Sequence, residues 1–137
     1  MIYVDTNVVL DIINHSPQWL DWSAGRLASA AIEGRLVTGI VVAAEVAHYT
    51  RSADQLASAF QALTIELVEA DLTAAWIAGQ AYCQYRARGG ERQSLLPDFL
   101  IGGHAMALGA SLLTRDSRRF RSYFPKLTLI TPETDNG

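Results

Sequence analysis

The sequence predicts an α/β fold: a parallel sheet of four to five short strands flanked by helices. Two observations carry this. Short apolar runs, each only a few residues long, alternate with stretches of helical period. The strands are too apolar to face water on one side, as strands of a sheet covered on both faces are. At 137 residues, half of them hydrophobic, the chain has the size and composition of one globular domain. It needs no disulfide to hold a core. No repeat, linker or low-complexity segment breaks it, so residues 1–137 are expected to form a single domain.

Ile2 to Asp5 reads as the first buried strand, and Asn7 to Ile13 continues as a helix that Ser16-Pro17 breaks. Ala24, Leu27, Ala28, Ala31 and Ile32 share one helical face, with Gly34 placed to end that helix. Leu36 to Thr38 is the second strand. Ile40 to Tyr49 is apolar almost all round and predicts a buried helix. Asp54 is placed to cap a helix whose inner face is Leu56, Ala59, Phe60 and Leu63. Ile65 to Val68 is the third strand. Asp71 is placed to cap a long helix striped by Leu72, Ala75, Trp76, Gly79 and Cys83.

Arg86 to Ser94, with Gly89-Gly90, predicts a loop, and Pro97 opens a helix that Gly109 stops. Ala110 to Thr114 is the fourth strand. Asp116 to Tyr123 is a short helical turn, and Leu127 to Ile130 is the last strand. The polar tail from Thr131 is expected to fray.

Composition narrows the function. One cysteine, Cys83, leaves no disulfide framework and no multi-cysteine zinc site. Asp5 and Asp11 interrupt the N-terminal apolar residues, unlike a secretion signal, and no apolar run is long enough to cross a membrane. The expectation is a soluble cytoplasmic protein. A net charge of −3 argues weakly against a nucleic-acid partner, but Arg115, Arg118, Arg119, Arg121 and Lys126 cluster near the C-terminus.

Four acids stand out. Asp5 and Asp116 follow strands at their carboxyl ends, the edge where ligands of parallel sheets sit. Glu45 is the only charge in Ile40 to Ala47, and Asp98 shares a helical face with Ile101, Gly102, Ala105 and Leu108. Both are therefore expected to point inward. Singly, Asp5 and Asp116 read better as helix caps, and Asp98 equally well as a partner of its helix dipole. Together they read better as ligands. Converging carboxylates with few cations nearby repel one another, and a divalent ion with hard oxygen ligands, Mg2+ or Mn2+, resolves this.

With these residues in hand, the chain resembles the PIN-domain ribonucleases, and within them the VapC-like toxins of toxin–antitoxin pairs. The resemblance spans essentially the whole chain. It rests on VDTN (Val4 to Asn7), AAEV (Ala43 to Val46), LPDFLIGGHA (Leu96 to Ala105) and LLTRDSRRF (Leu112 to Phe120). It implies that Asp5, Glu45, Asp98 and Asp116 are the acids holding one or two Mg2+ or Mn2+ ions, with Thr6, Asn7 and Thr114 supporting them. It implies a homodimer that cuts RNA and is silenced by a cognate antitoxin. The last motif departs from the commoner threonine, any residue, aspartate, any residue, aspartate, phenylalanine. Here Thr114 to Phe120 lacks the second acid and has arginines in its place. The departure bears on a second metal, not on the four main acids.

Arg115, Arg118, Arg119 and Arg121 are the candidate contacts to RNA phosphates, against the commoner fate of a solvated charged turn. The histidines promise little chemistry, and His104 in its small-residue helix predicts close packing. Trp19 and Trp22 are candidates for a dimer or antitoxin surface. Three other classes fit the residues less well. An aspartyl-phosphate phosphatase on Asp5 wants an acid at position 7 and a pocket lysine, and a receiver domain wants the same lysine. The chain offers Asn7 and only Lys126, before the last strand. A non-catalytic PIN-like scaffold for RNA or protein has no need of all four acids.

Overall fold

The computed structural model describes residues 1–90 and 96–134. Elements run in the order β1 (Ile2–Val4), α1 (Thr6–Ile13), α2 (Leu20–Glu33), β2 (Leu36–Thr38), α3 (Ile40–Ala47), α4 (Ala53–Ala62) and β3 (Ile65–Leu67). They continue with α5 (Leu72–Ala87), α6 (Leu96–Ala107), β4 (Ser111–Leu113), α7 (Ser117–Tyr123) and β5 (Leu129–Ile130). The five strands form one sheet in the order β3-β2-β1-β4-β5, and every neighbouring pair is parallel.

All residues of β1 and β2 are buried, so helices cover both faces there. Tyr3 pairs with Val37 on one side and Leu112 on the other. The chain leaves β1 toward β2, while β4 takes the opposite flank. The carboxyl ends of β1 and β4 thus frame the point where strand order reverses, the crevice that such sheets use for ligands.

Several sequence expectations shift in register. On α2 the buried residues are Ser23, Leu27 and Ala30, and Ile32 is 88% exposed. On α5 they are Ala74, Ala78 and Ala81, while Leu72 and Trp76 are 87% and 68% exposed and Cys83 lies at the surface. The cause is the tight approach of α5 to α6. A Cβ added at Gly103 would come within 2.8 Å of Ala78 and the Ala74 carbonyl, so only small side chains fit the seam. The largest apolar residues of α5 were the wrong guide to its inner face.

Ser52, not Asp54, caps α4, its hydroxyl accepting from the Gln55 N–H. Asp71 caps α5 as expected. α5 runs on through Ala87 into the expected loop, and Gly90 closes against the Tyr85 ring, where a Cβ would overlap it. Residues 91–94 of that predicted loop lie outside the described residues. Gly109 ends α6 with φ +67, a conformation that favours glycine. Thr131, expected to begin a frayed tail, is buried and exchanges hydrogen bonds with Thr134.

Candidate active site

β1 stops at Val4 because Asp5 takes the N-cap position of α1, its Oδ1 accepting from the Thr6 N–H at 2.7 Å. The carboxylate is buried, and its other oxygen accepts from the Thr114 hydroxyl at 2.7 Å and the Asn7 amide at 3.4 Å. Capping and convergence are therefore both true of Asp5. Asn7 also donates to the Thr114 hydroxyl at 3.2 Å and accepts from the Arg115 N–H at 3.2 Å. Thr114 in turn accepts from the Asp116 N–H at 3.0 Å. A single relay of short side chains thus ties the end of β1 to the end of β4.

The three remaining acids sit around this relay. Asp98, in the first turn of α6, is 17% exposed. Asp116 starts α7 but its side chain makes no capping bond, which removes the cap reading for that residue. Glu45 is not buried as expected. α3 presents it to solvent, because Val42, Ala43 and Val46 form the buried face and Ile40 and Glu45 lie off it. Its Oε1 accepts from the Thr6 hydroxyl at 2.7 Å, which turns the carboxylate back toward the relay.

Burial pushes the Asp5 carboxyl up to about 6, against the hydrogen bonds from Thr114 and Thr6, and the charges of Asp98 and Glu45 add to the rise. Asp98 is also raised. Burial is the main cause, Arg119 opposes it, and Asp116 and Glu45 reinforce it. The acids therefore feel one another's charge. Tyr3, just below, is raised by burial and by Asp5, and its hydroxyl lies 2.9 Å from His104 Nδ1.

The expected shortage of cations does not hold. Arg119 reaches the acids: its Nε donates to Asp116 Oδ2 at 2.6 Å, Nη2 contacts the same oxygen, and Nη1 lies 2.9 Å from Asp98 Oδ2. The last contact is an ion pair without hydrogen-bond geometry, and Asp98 Oδ2 is buried with no donor directed at it. Arg115 turns the other way. Its Nε and Nη2 grip Asp11 at 2.6 and 2.9 Å, and its guanidinium lies over the Trp19 ring at 5.1 Å. Trp22 meets Trp19 edge-on and packs on the core. These tryptophans join α1, α2 and the β4 end, whereas Trp76 is the tryptophan left exposed. Arg118 and Arg121 are exposed on α7.

Among the described residues, no three acid, histidine or cysteine side chains are grouped as a ready metal cage. The donor set nevertheless suits a hard divalent ion: carboxylate oxygens at one sheet edge, one of them on an acid that burial pushes up to about 6 and another left without a donor. Sequence reading missed Asp11, a buried acid on an apolar helix. Its signal was the same as that of Glu45, a lone charge among hydrophobic neighbours.

A PIN domain family model matches residues 2–124, and the chain belongs to that family. Its fold is shared by a chain in the structure of VapBC2 from Rickettsia felis bound to promoter DNA, with TM-score 0.73 and 23% identity over 96% of this chain and 98% of that one. VapBC-1 from nontypeable Haemophilus influenzae gives 0.71 and 21% over the same shares. A toxin–antitoxin complex from Klebsiella pneumoniae gives 0.65 and 19%, again over 96% and 98%. No curated protein sequence matches significantly. No described helix is long and apolar enough to cross a membrane.

Proposed function

We propose that the chain is a metal-dependent endoribonuclease of VapC type, hydrolysing RNA phosphodiester bonds. The observation that supports this most is the hydrogen-bonded relay of Asp5, Asn7, Thr114 and Asp116 at the strand-reversal crevice, with Asp98 and Glu45 beside it. Asp5, Asp98 and Asp116 would hold Mg2+ or Mn2+, directly or through water, and Glu45 would ligate or act on the attacking water. The ion, when bound, lowers the pKa of water and neutralises charge on the phosphoryl group.

The chain's own groups do the rest. Thr114 and Asn7 fix the orientation of Asp5, as supporting hydrogen bonds fix metal ligands generally. Glu45, solvent-facing and hydrogen-bonded to Thr6, would take the proton that water loses as its oxygen bonds to phosphorus and the P–O bond to the leaving nucleotide oxygen breaks. Arg118, Arg119 and Arg121 would bear on the phosphates. Arg115 serves that purpose only by leaving Asp11.

The protein would be a homodimer held inactive by a cognate antitoxin, and its likeness to chains of toxin–antitoxin complexes supports such a partner. The test is cleavage of total RNA with Mn2+, with EDTA, and with Asp98→Asn. Discrete cuts lost in both controls support the reading. A folded protein that binds RNA and cuts under no metal would favour the scaffold.

A further inference from the structure

Arg119 stands on two sites. On one side it reaches Asp116 and Asp98. On the other it lines a groove of about 470 Å³ with Tyr85, Arg88, Gly90, Arg118 and Tyr123. Among the described residues its wall holds three guanidinium groups and no acid. Its chemistry suits a phosphate chain, and Arg119 is common to its wall and to the acid cluster.

The two holds on Arg119 are unequal. Toward Asp116, three residues earlier on the same turn, it donates a short directed bond. Toward Asp98 it has proximity but no directed donor, and the side chain is 46% exposed. A long, half-exposed guanidinium loses little by turning into water or onto a phosphate. A divalent ion would bring twice its charge and two or more coordination positions to the same oxygens.

We propose that Arg119 is a displaceable counter-ion of the metal site. It neutralises Asp98 and Asp116 when no metal is bound. Metal entry turns it out into the groove, where it joins Arg88 and Arg118 in holding the phosphates of the RNA strand. This rests on the metal-ribonuclease reading above. It makes Arg119 a competitor for the ion and a positioning residue for the substrate.

The experiment is Mn2+ titration by calorimetry on the full chain and on Arg119→Ala, Arg118→Ala and Asp5→Asn. Removing a unit positive charge that contacts two of the acids, partly screened by solvent, should raise Mn2+ affinity about tenfold in Arg119→Ala. Arg118→Ala should stay within about twofold, since it carries the same charge on the same helix without touching the acids. A second readout is the 15N spectrum of arginine Nε–H groups: saturating Mg2+ should shift Arg119 and leave Arg115 in place. Unchanged or weaker Mn2+ binding in Arg119→Ala, an equal gain in Arg118→Ala, or a stationary Arg119 signal would each overturn the proposal. If Asp5→Asn still abolishes binding in those cases, the metal site survives without the switch. If neither wild type nor any variant binds Mn2+, both fail together.

Discussion

Arg115 and Arg119 are four residues apart, and each meets aspartate, yet the two clusters are built to opposite ends. Around Arg115 both charges are answered. Asp11 is buried, takes two bonds from the guanidinium and a third from the Ser23 hydroxyl at 2.6 Å, and the cation lies over Trp19. Around Arg119 the balance is incomplete. Among the described residues, one cation faces Asp98 and Asp116, an oxygen of Asp98 has no donor, and buried Asp5 has only neutral hydrogen-bond partners. The first cluster is a finished joint between α1, α2 and the end of β4. The second carries more negative charge than the described cations around it answer. Folds tolerate such excess where a ligand completes it.

The same substitution should therefore change stability in opposite directions, and this comparison carries the largest expected effects. Asp5→Asn should reduce RNA cleavage by at least about a hundredfold, since it removes a metal-facing charge. In metal-free buffer at pH 8 it should raise the melting temperature. Asp11→Asn should lower stability by about 3 kcal/mol, because it strips the anion from a mostly buried guanidinium. Urea denaturation of both variants against wild type decides the matter. Equal destabilisation by both would mean that the edge cluster is a structural joint too.

How far this contrast was legible in the sequence depends on what each acid has for company. Asp5, Asp116 and Asp98 could be placed because strand ends and helix faces follow from local pattern, and the parallel sheet brings those ends to one edge. Glu45 was found by its isolation but given the wrong exposure. A three-residue register on α3 decides which side meets the core, and an apolar helix hides that register. The two arginine assignments were illegible. Arg115 and Arg119 lie within one motif, and their opposite directions depend on where Asp11 and Asp98 come to rest in three dimensions. The face of α5 was hidden for a related reason. Its seam with α6 is made of alanine and glycine, whose small size marks a close approach that hydrophobicity does not report.

A pH series sharpens the edge cluster. The folded-state pKa of Asp5, about 6, lies above its unfolded value, so the folded protein binds this proton more tightly. Protonated Asp5 thus favours folding below the unfolded pKa. That advantage is lost as pH rises toward 6, and it amounts to at most about 3 kcal/mol. In EDTA the stability gap between wild type and Asp5→Asn should be widest above pH 7 and should narrow by pH 5. Saturating Mg2+ should close it from the other side, by stabilising wild type at pH 7.5 and not the variant. A gap that ignores both pH and Mg2+ would show that Asp5 is held by its neutral partners alone.

The smallest expected effect concerns Arg118, which shares the helix with Arg119 but stands apart from the acids. If the groove beside α7 carries RNA phosphates, Arg118→Ala should weaken binding by a few-fold at low salt. It should also reduce the slope of log affinity against log salt by about 0.7, the loss of one phosphate contact on a single strand. Arg115→Ala should behave differently, with lower stability from the uncovered Asp11 and no such specific change in slope. The test is fluorescence anisotropy of a single-stranded RNA in EDTA over a range of salt. It separates an arginine that meets solvent from one that meets a buried carboxylate. An unchanged slope for Arg118→Ala would return it to the solvated turn that its sequence context alone suggests, and would leave Arg88 and Arg119 to define the groove.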